Sequence, residues 1–193
     1  SYVCDAVANA VHRVTHRAPL VSDVDPETWS MAARPDRDEC EAWDREGRLW
    51  PFHVALGRVK AVSLAHTYGV PARDLIEVRD ACRARKIPLI EDCSEAHGAS
   101  LDGRPVGVFG DVAVWSMRGE KVIAAGQLGI VLTDDPSVRR RAYQYAHNGL
   151  PSQAVRFWSS MPAGTAQPSP LNAALACAQL TRLSALREAR GRV

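Results

Sequence analysis

The sequence predicts an α/β protein with a mostly parallel sheet, and three observations carry that expectation. Apolar runs of strand length recur between residues 59 and 133. A segment of helical length separates the first two, which is the signature of βαβ units whose strands are covered on both faces. The chain has 193 residues, 46% of them hydrophobic, enough for one sizeable core and too few for two comfortable domains.

Taken in order, Ala6 to Val14 reads as a helix and Ala18 to Val24 as an extended segment ending in the turn-like Asp25-Pro26. Pro35 to Arg58 is charged and irregular, with Trp43 and Trp50 embedded in it, and receives no assignment. Val59 to Ala65 reads as a buried strand, Ala72 to Lys86 as a helix, and Ile87 to Glu91, Asp111 to Ser116 and Leu128 to Thr133 as further strands. Helices follow over Pro136 to Tyr145 and Leu171 to Arg190, joined by a Pro/Ser/Gly/Ala linker from Gly149 to Pro170. The chain shows no internal repeat and no low-complexity tract.

Composition narrows the function classes. There are 24 basic and 22 acidic residues, and the arginines are scattered, so nucleic acid is not an expected partner. No apolar run approaches the ~18 residues that a membrane helix needs, and no signal-like stretch follows Ser1; a soluble, cytoplasmic protein is expected. The five cysteines are widely spaced without a C-x-x-C pair, which argues against a disulfide framework and a zinc site. His12 and His16 stand four apart without a third ligand nearby, so no metal is expected.

Lysine is rare here: Lys60, Lys86 and Lys121 stand against 21 arginines. A chain that uses arginine wherever it needs a cation has kept Lys121 for something a guanidinium cannot do. An ε-amine can lose its proton and attack an aldehyde to form a Schiff base, whereas a guanidinium stays protonated. Pyridoxal phosphate (PLP) is therefore the first cofactor to consider.

Asp92 follows the strand Ile87 to Glu91, at the rim of a dry core, and strand ends are where open α/β sheets gather ligands. A carboxylate there suits the pyridine nitrogen of PLP, because a protonated ring is the electron sink of such chemistry. The competing reading makes Asp92 a helix cap or a turn residue facing water. Ser116 ends the strand that leads to Lys121, five residues on, where its hydroxyl can donate to a phosphate; alone it would read as a turn residue. Several glycines punctuate residues 98–129, but none forms G-x-G-x-x-G or a P-loop, which disfavours a nucleotide-fold enzyme.

Three blocks in matching order and spacing resemble the DegT/DnrJ/EryC1/StrS sugar aminotransferases, PLP enzymes of fold type I. They are Ile90-Glu91-Asp92-Cys93-Ser94-Glu95-Ala96-His97-Gly98-Ala99, then Gly103-Arg104-Pro105-Val106-Gly107-Val108-Phe109-Gly110-Asp111, then Trp115-Ser116-Met117-Arg118-Gly119-Glu120-Lys121. Weaker matches include residues 1–10, Asp23 to Trp29, His66-Thr67-Tyr68-Gly69, His147-Asn148-Gly149 and the helix containing Asn172-Ala173-Ala174-Leu175.

The resemblance implies a three-layer α/β/α PLP-binding large domain over residues 1–149, followed by a linker and the first helix of a small domain over residues 150–193. It implies Lys121 as the Schiff-base lysine, Asp92 as the pyridinium partner, Ser116 as a phosphate ligand, Glu95 beside the cofactor ring and Tyr2 stacked on its face. The implied reaction moves an amino group from a donor such as glutamate to a keto sugar nucleotide or a cyclitol ketone. Retention of Lys121 argues against the family's dehydratase branch, in which a histidine replaces it. Arginine-rich, lysine-poor usage is compatible with an antibiotic-producing, GC-rich source.

The departures shape the remaining expectations. Family members are longer. Three of their parts are expected to be missing here: the Gly-Thr segment that wraps the phosphate, the G-x-N-x-R-M stretch that reaches into the neighbouring protomer's site, and most of the small domain. Residues 163–169 stand at the place of that stretch without its Asn and Arg. A homodimer, or a complex with a longer homologue, is therefore expected, with PLP held poorly by the chain alone. The alternative is a truncated, catalytically silent relative that keeps the fold to serve a partner or structural role.

Overall fold

The computed structural model describes residues 61–151 and 158–191. The helix expected over Ala6 to Val14, the segment Ala18 to Val24 and the aromatic Tyr2 lie outside the described residues. The described chain runs β1 (Val62–Ala65), a 3-10 turn (Thr67–Gly69), α1 (Leu75–Ala84), β2 (Leu89–Asp92), β3 (Ser100–Leu101), β4 (Arg104–Pro105), β5 (Val112–Ser116), β6 (Gly129–Leu132), α2 (Pro136–Ala146), α3 (Pro170–Leu180) and α4 (Leu183–Arg190).

Four strands form one sheet in the order β1-β2-β5-β6. β1, β2 and β5 are parallel, while β6 returns antiparallel on β5. The α/β class and the mostly parallel sheet are as expected. The crossover from β1 to β2 runs through α1, whose Leu75, Val78 and Cys82 are buried against Leu64 and Leu89 of the strands and against Phe109. That spacing of three and four is the apolar stripe that makes the segment a helix.

Helix starts are set by side chains that satisfy otherwise unpaired N–H groups. Asp135 accepts from the backbone N–H of Ser137 at 2.7 Å and of Val138, with Pro136 opening α2. Ser169 accepts from Asn172 N–H at 3.2 Å, with Pro170 opening α3. Proline fits there because its missing N–H would have had no helical partner.

Three expectations need correction. The single helix over Leu171 to Arg190 is two helices, broken at Thr181 and Arg182. Arg182 N–H reaches back only three residues to Gln179, and the Thr181 hydroxyl donates to the Ala178 carbonyl. The break lets Ala176 of α3 and Leu183 and Leu186 of α4 meet one cluster, that of Met117, Ile123 and Ala125. The segment between the second and third predicted strands also holds a small antiparallel pair, β3 with β4. Asp102 and Gly103 both have positive φ, 50° and 76°, the turn that a two-residue hairpin requires and that an Asp-Gly pair favours.

The helix expected over Ala72 to Lys86 is shorter, Leu75–Ala84, and Ala72 N–H donates instead to the His66 ring.

Candidate active site at the carboxyl edge of the sheet

Strand register places the two expected cofactor ligands. Asp92 pairs with Val114 across β2 and β5, and Ser116 stands two residues beyond Val114. Side chains alternate with a period of two, so Asp92 and Ser116 share one face of neighbouring parallel strands, at their carboxyl ends. Glu91 therefore points to the opposite face.

Glu91 is wholly buried and organises that face. Its Oε1 accepts from the N–H groups of Phe109, at 2.7 Å, and of Gly110; its Oε2 accepts from Gly107 N–H at 2.7 Å and from His66 Nε2 at 3.1 Å. Ala72 N–H donates to His66 Nδ1 at 3.0 Å, which leaves the ring proton on Nε2, aimed at the carboxylate. Burial pushes the Glu91 carboxyl up, but His66 and the three backbone donors outweigh it and hold the group below the ordinary glutamate value. Gly110 is glycine because a Cβ there would lie 2.7 Å from the Leu89 carbonyl oxygen. The network pins the 107–110 loop to β2, directly behind Asp92.

At the edge itself, Asp92 Oδ1 accepts Ser94 N–H at 3.0 Å, closing the turn that leads to Glu95. The turn contact foreseen for Asp92 is thus present, and it engages one carboxylate oxygen. Glu95 is the hub: its Oε1 accepts from Lys121 Nζ at 3.1 Å and its Oε2 from Tyr68 N–H at 3.2 Å. The Lys121 side chain is only 12% exposed. Its loop is tied down by Lys121 N–H to Arg118 O, Ala125 N–H to Met117 O, and Met117 N–H to Leu128 O, over the buried Met117, Ile123 and Ala125. Ser116 Oγ accepts weakly from Arg118 N–H at 3.5 Å. Lys121 and Glu95 are in contact, and Asp92 and Ser116 share a face at the same sheet edge; Tyr2 lies outside the described residues.

Behind Lys121, His97 is buried with its ring 5.3 Å from that of Trp115. Neither His97 nitrogen nor Trp115 Nε1 has a hydrogen-bond partner among the described residues. Burial, reinforced by the Lys121 and Arg190 cations, holds His97 below the ordinary histidine value. His66, Glu91 and Cys93 lie close enough together to suggest a metal, but His66 and Glu91 already spend their ring nitrogens and carboxylate oxygens on each other and on backbone N–H groups. Burial, with the Glu91 and Asp92 charges, also pushes the Cys93 thiol upward, away from the thiolate a metal would need.

Sequence reasoning missed the His66–Glu91 pair and the contact of Tyr68 with Glu95. The one local signal for the former was a glutamate at an inward position of a strand, two residues after Leu89.

The fold and edge define an α/β domain whose amine, carboxylates and hydroxyl gather at the carboxyl ends of parallel strands. Residues 4–193 match the DegT/DnrJ/EryC1/StrS aminotransferase family, and the chain belongs to it. It is 37% identical over 144 residues to an L-glutamine:scyllo-inosose aminotransferase of Streptomyces griseus, covering 75% of this chain and 30% of that protein. It is 30% identical over 175 residues to a GDP-perosamine synthase of Escherichia coli O157:H7, covering 91% and 43%. Among solved structures, the aminotransferase TlmJ from Streptoalloteichus hindustanus superposes with a TM-score of 0.71 at 29% identity, covering 91% of this chain and 43% of that one. The chain thus spans less than half the length of these relatives.

Proposed function

We propose that this chain carries the PLP-binding core of an aminotransferase that moves an amino group from glutamate or glutamine to the ketone of a sugar nucleotide or cyclitol. The observation that carries the reading is the hold of Glu95 on Lys121 Nζ at 3.1 Å, on an edge where Asp92 and Ser116 share a face. The donor set fits PLP: a reactive amine, an anion for a ring nitrogen and a hydroxyl for a phosphate. When bound, PLP supplies an aldehyde for amine capture and a ring that stabilises negative charge at a substrate carbon.

The residues of the chain do the rest. Asp92 keeps a proton on the ring nitrogen by placing a carboxylate against it. Ser116 Oγ donates to the phosphate. Lys121 would hold the cofactor through its amine, and its Nζ would move a proton at the substrate carbon. Glu95 holds that Nζ in place between these roles. Tyr2 is assigned to the ring face by the resemblance alone.

A homodimer, or assembly with a longer homologue, completes the site in this reading, and the cytoplasm is its place. The free thiols of Cys82, Cys93 and Cys177 suit a reducing compartment, and no described helix is long and apolar enough to cross a membrane. A catalytically silent partner role is not needed to account for the family match.

The test follows the cofactor absorbance of the PLP-loaded chain. Glutamate or glutamine should shift it, and scyllo-inosose should reverse the shift. No shift with either amino acid would count against the proposal.

A further inference from the structure

The segment His66-Thr67-Tyr68-Gly69 has a role still to be assigned at its third residue. Tyr68 stands just past β1, whose last residue Ala65 pairs with Asp92, and His66 N–H donates to the Asp92 carbonyl at 2.9 Å. It is therefore at the same carboxyl edge as the candidate site. Its backbone is left-handed, φ 54° and ψ 28°, a region that glycine enters freely and a tyrosine does not. Gly69 beside it also has positive φ, 83°.

Among the described residues, nothing in the packing explains an aromatic residue there. Tyr68 is 72% exposed, so its ring contributes little to the core. What holds it is the Glu95 carboxylate, which takes Tyr68 N–H on one oxygen and Lys121 Nζ on the other. A large side chain kept in an unfavourable backbone conformation, in solvent, one carboxylate away from the reactive amine, marks a position retained for a ligand.

We infer that Tyr68 is a substrate-contact residue, which lays its ring against the polyhydroxylated ring of the acceptor and offers its hydroxyl to an acceptor oxygen. A flat aromatic face covers the axial C–H groups of a sugar or cyclitol, and a phenol can both donate to and accept from its hydroxyls. The inference rests on the aminotransferase reading above and adds to it the residue that meets the acceptor.

The test uses scyllo-inosose and GDP-perosamine as probes, each titrated calorimetrically into the PLP-loaded chain and into its Tyr68→Gly and Tyr68→Phe variants. Glycine suits the backbone and keeps the N–H that binds Glu95, so the urea midpoint of Tyr68→Gly should hold or rise. Its affinity for the probe that the unaltered chain binds should fall about fivefold to tenfold, and Tyr68→Phe should lie between. Unchanged affinity in Tyr68→Gly, a lowered urea midpoint, or binding of neither probe to the unaltered chain would each overturn the inference. The donor-driven absorbance shift of the unaltered chain reports separately whether the aminotransferase reading stands.

Discussion

Replacing Glu91 by glutamine preserves volume and removes one charge, and the structure sets the cost. The carboxylate receives four donors, from Phe109, Gly110, Gly107 and His66. A carboxamide has one oxygen, which can keep two of them; its NH2 group then faces the other two, donor against donor. His66 cannot relieve the conflict by moving its proton to Nδ1, because Ala72 N–H already donates there. Each orphaned buried donor costs ~1–3 kcal/mol, and the charge assistance to the remaining bonds is lost as well. Together they predict a loss of roughly 3–5 kcal/mol, the range for breaking a buried charged network from one side. Equilibrium urea unfolding of the variant and the unaltered chain measures it. A loss below about 1 kcal/mol, within reach of an ordinary surface change, would refute the view that Glu91 locks the 107–110 loop to β2.

Three further outcomes follow from the same geometry. Gly110→Ala should destabilise the chain by about 1–3 kcal/mol, since its Cβ would meet the Leu89 carbonyl oxygen at 2.7 Å; an unchanged urea midpoint would contradict this. Stability should fall on the acid side in two stages. His97 is held below its ordinary 6.5, so the unfolded chain takes up the proton first and stability declines as pH falls below 6.5; Glu91 is held below its ordinary 4.5, so its contribution is intact above 4.5 and is lost as pH falls through the folded value. A urea midpoint that stays flat from pH 7 to pH 4.5 would contradict the first sign, and one that stays flat as pH falls further would contradict the second. Asp92→Asn keeps an oxygen for Ser94 N–H and should retain the fold and PLP, but lose turnover, because a neutral amide cannot hold a proton on the ring nitrogen; unchanged turnover would remove Asp92 from that role.

What could be read from the sequence was what local pattern encodes. The strands and α1 follow from apolar runs, and the carboxyl-edge placement of Asp92 and Ser116 follows from where those runs end. The break between α3 and α4 was not legible, since neither Gly nor Pro marks Thr181 and Arg182; it arises because two helices converge on the Met117 cluster. The β3–β4 hairpin was legible in Asp102-Gly103, had the pair been read as a turn rather than as glycine punctuation. The His66–Glu91 bond joins residues 25 apart, and the left-handed backbone of Tyr68 depends on a carboxylate 27 residues away. The first leaves only the inward glutamate of β2 as a local trace, and the second leaves none.

The central claim is that Lys121 is the residue that carries PLP, with Asp92 and Ser116 beside it. Incubating the chain with PLP, reducing with borohydride and mapping the labelled peptide tests it most directly, because there are only three lysines to distinguish. The account predicts a label on Lys121, absent from Lys121→Ala and undiminished in Lys60→Ala and Lys86→Ala. A label of equal yield in all three variants would contradict it.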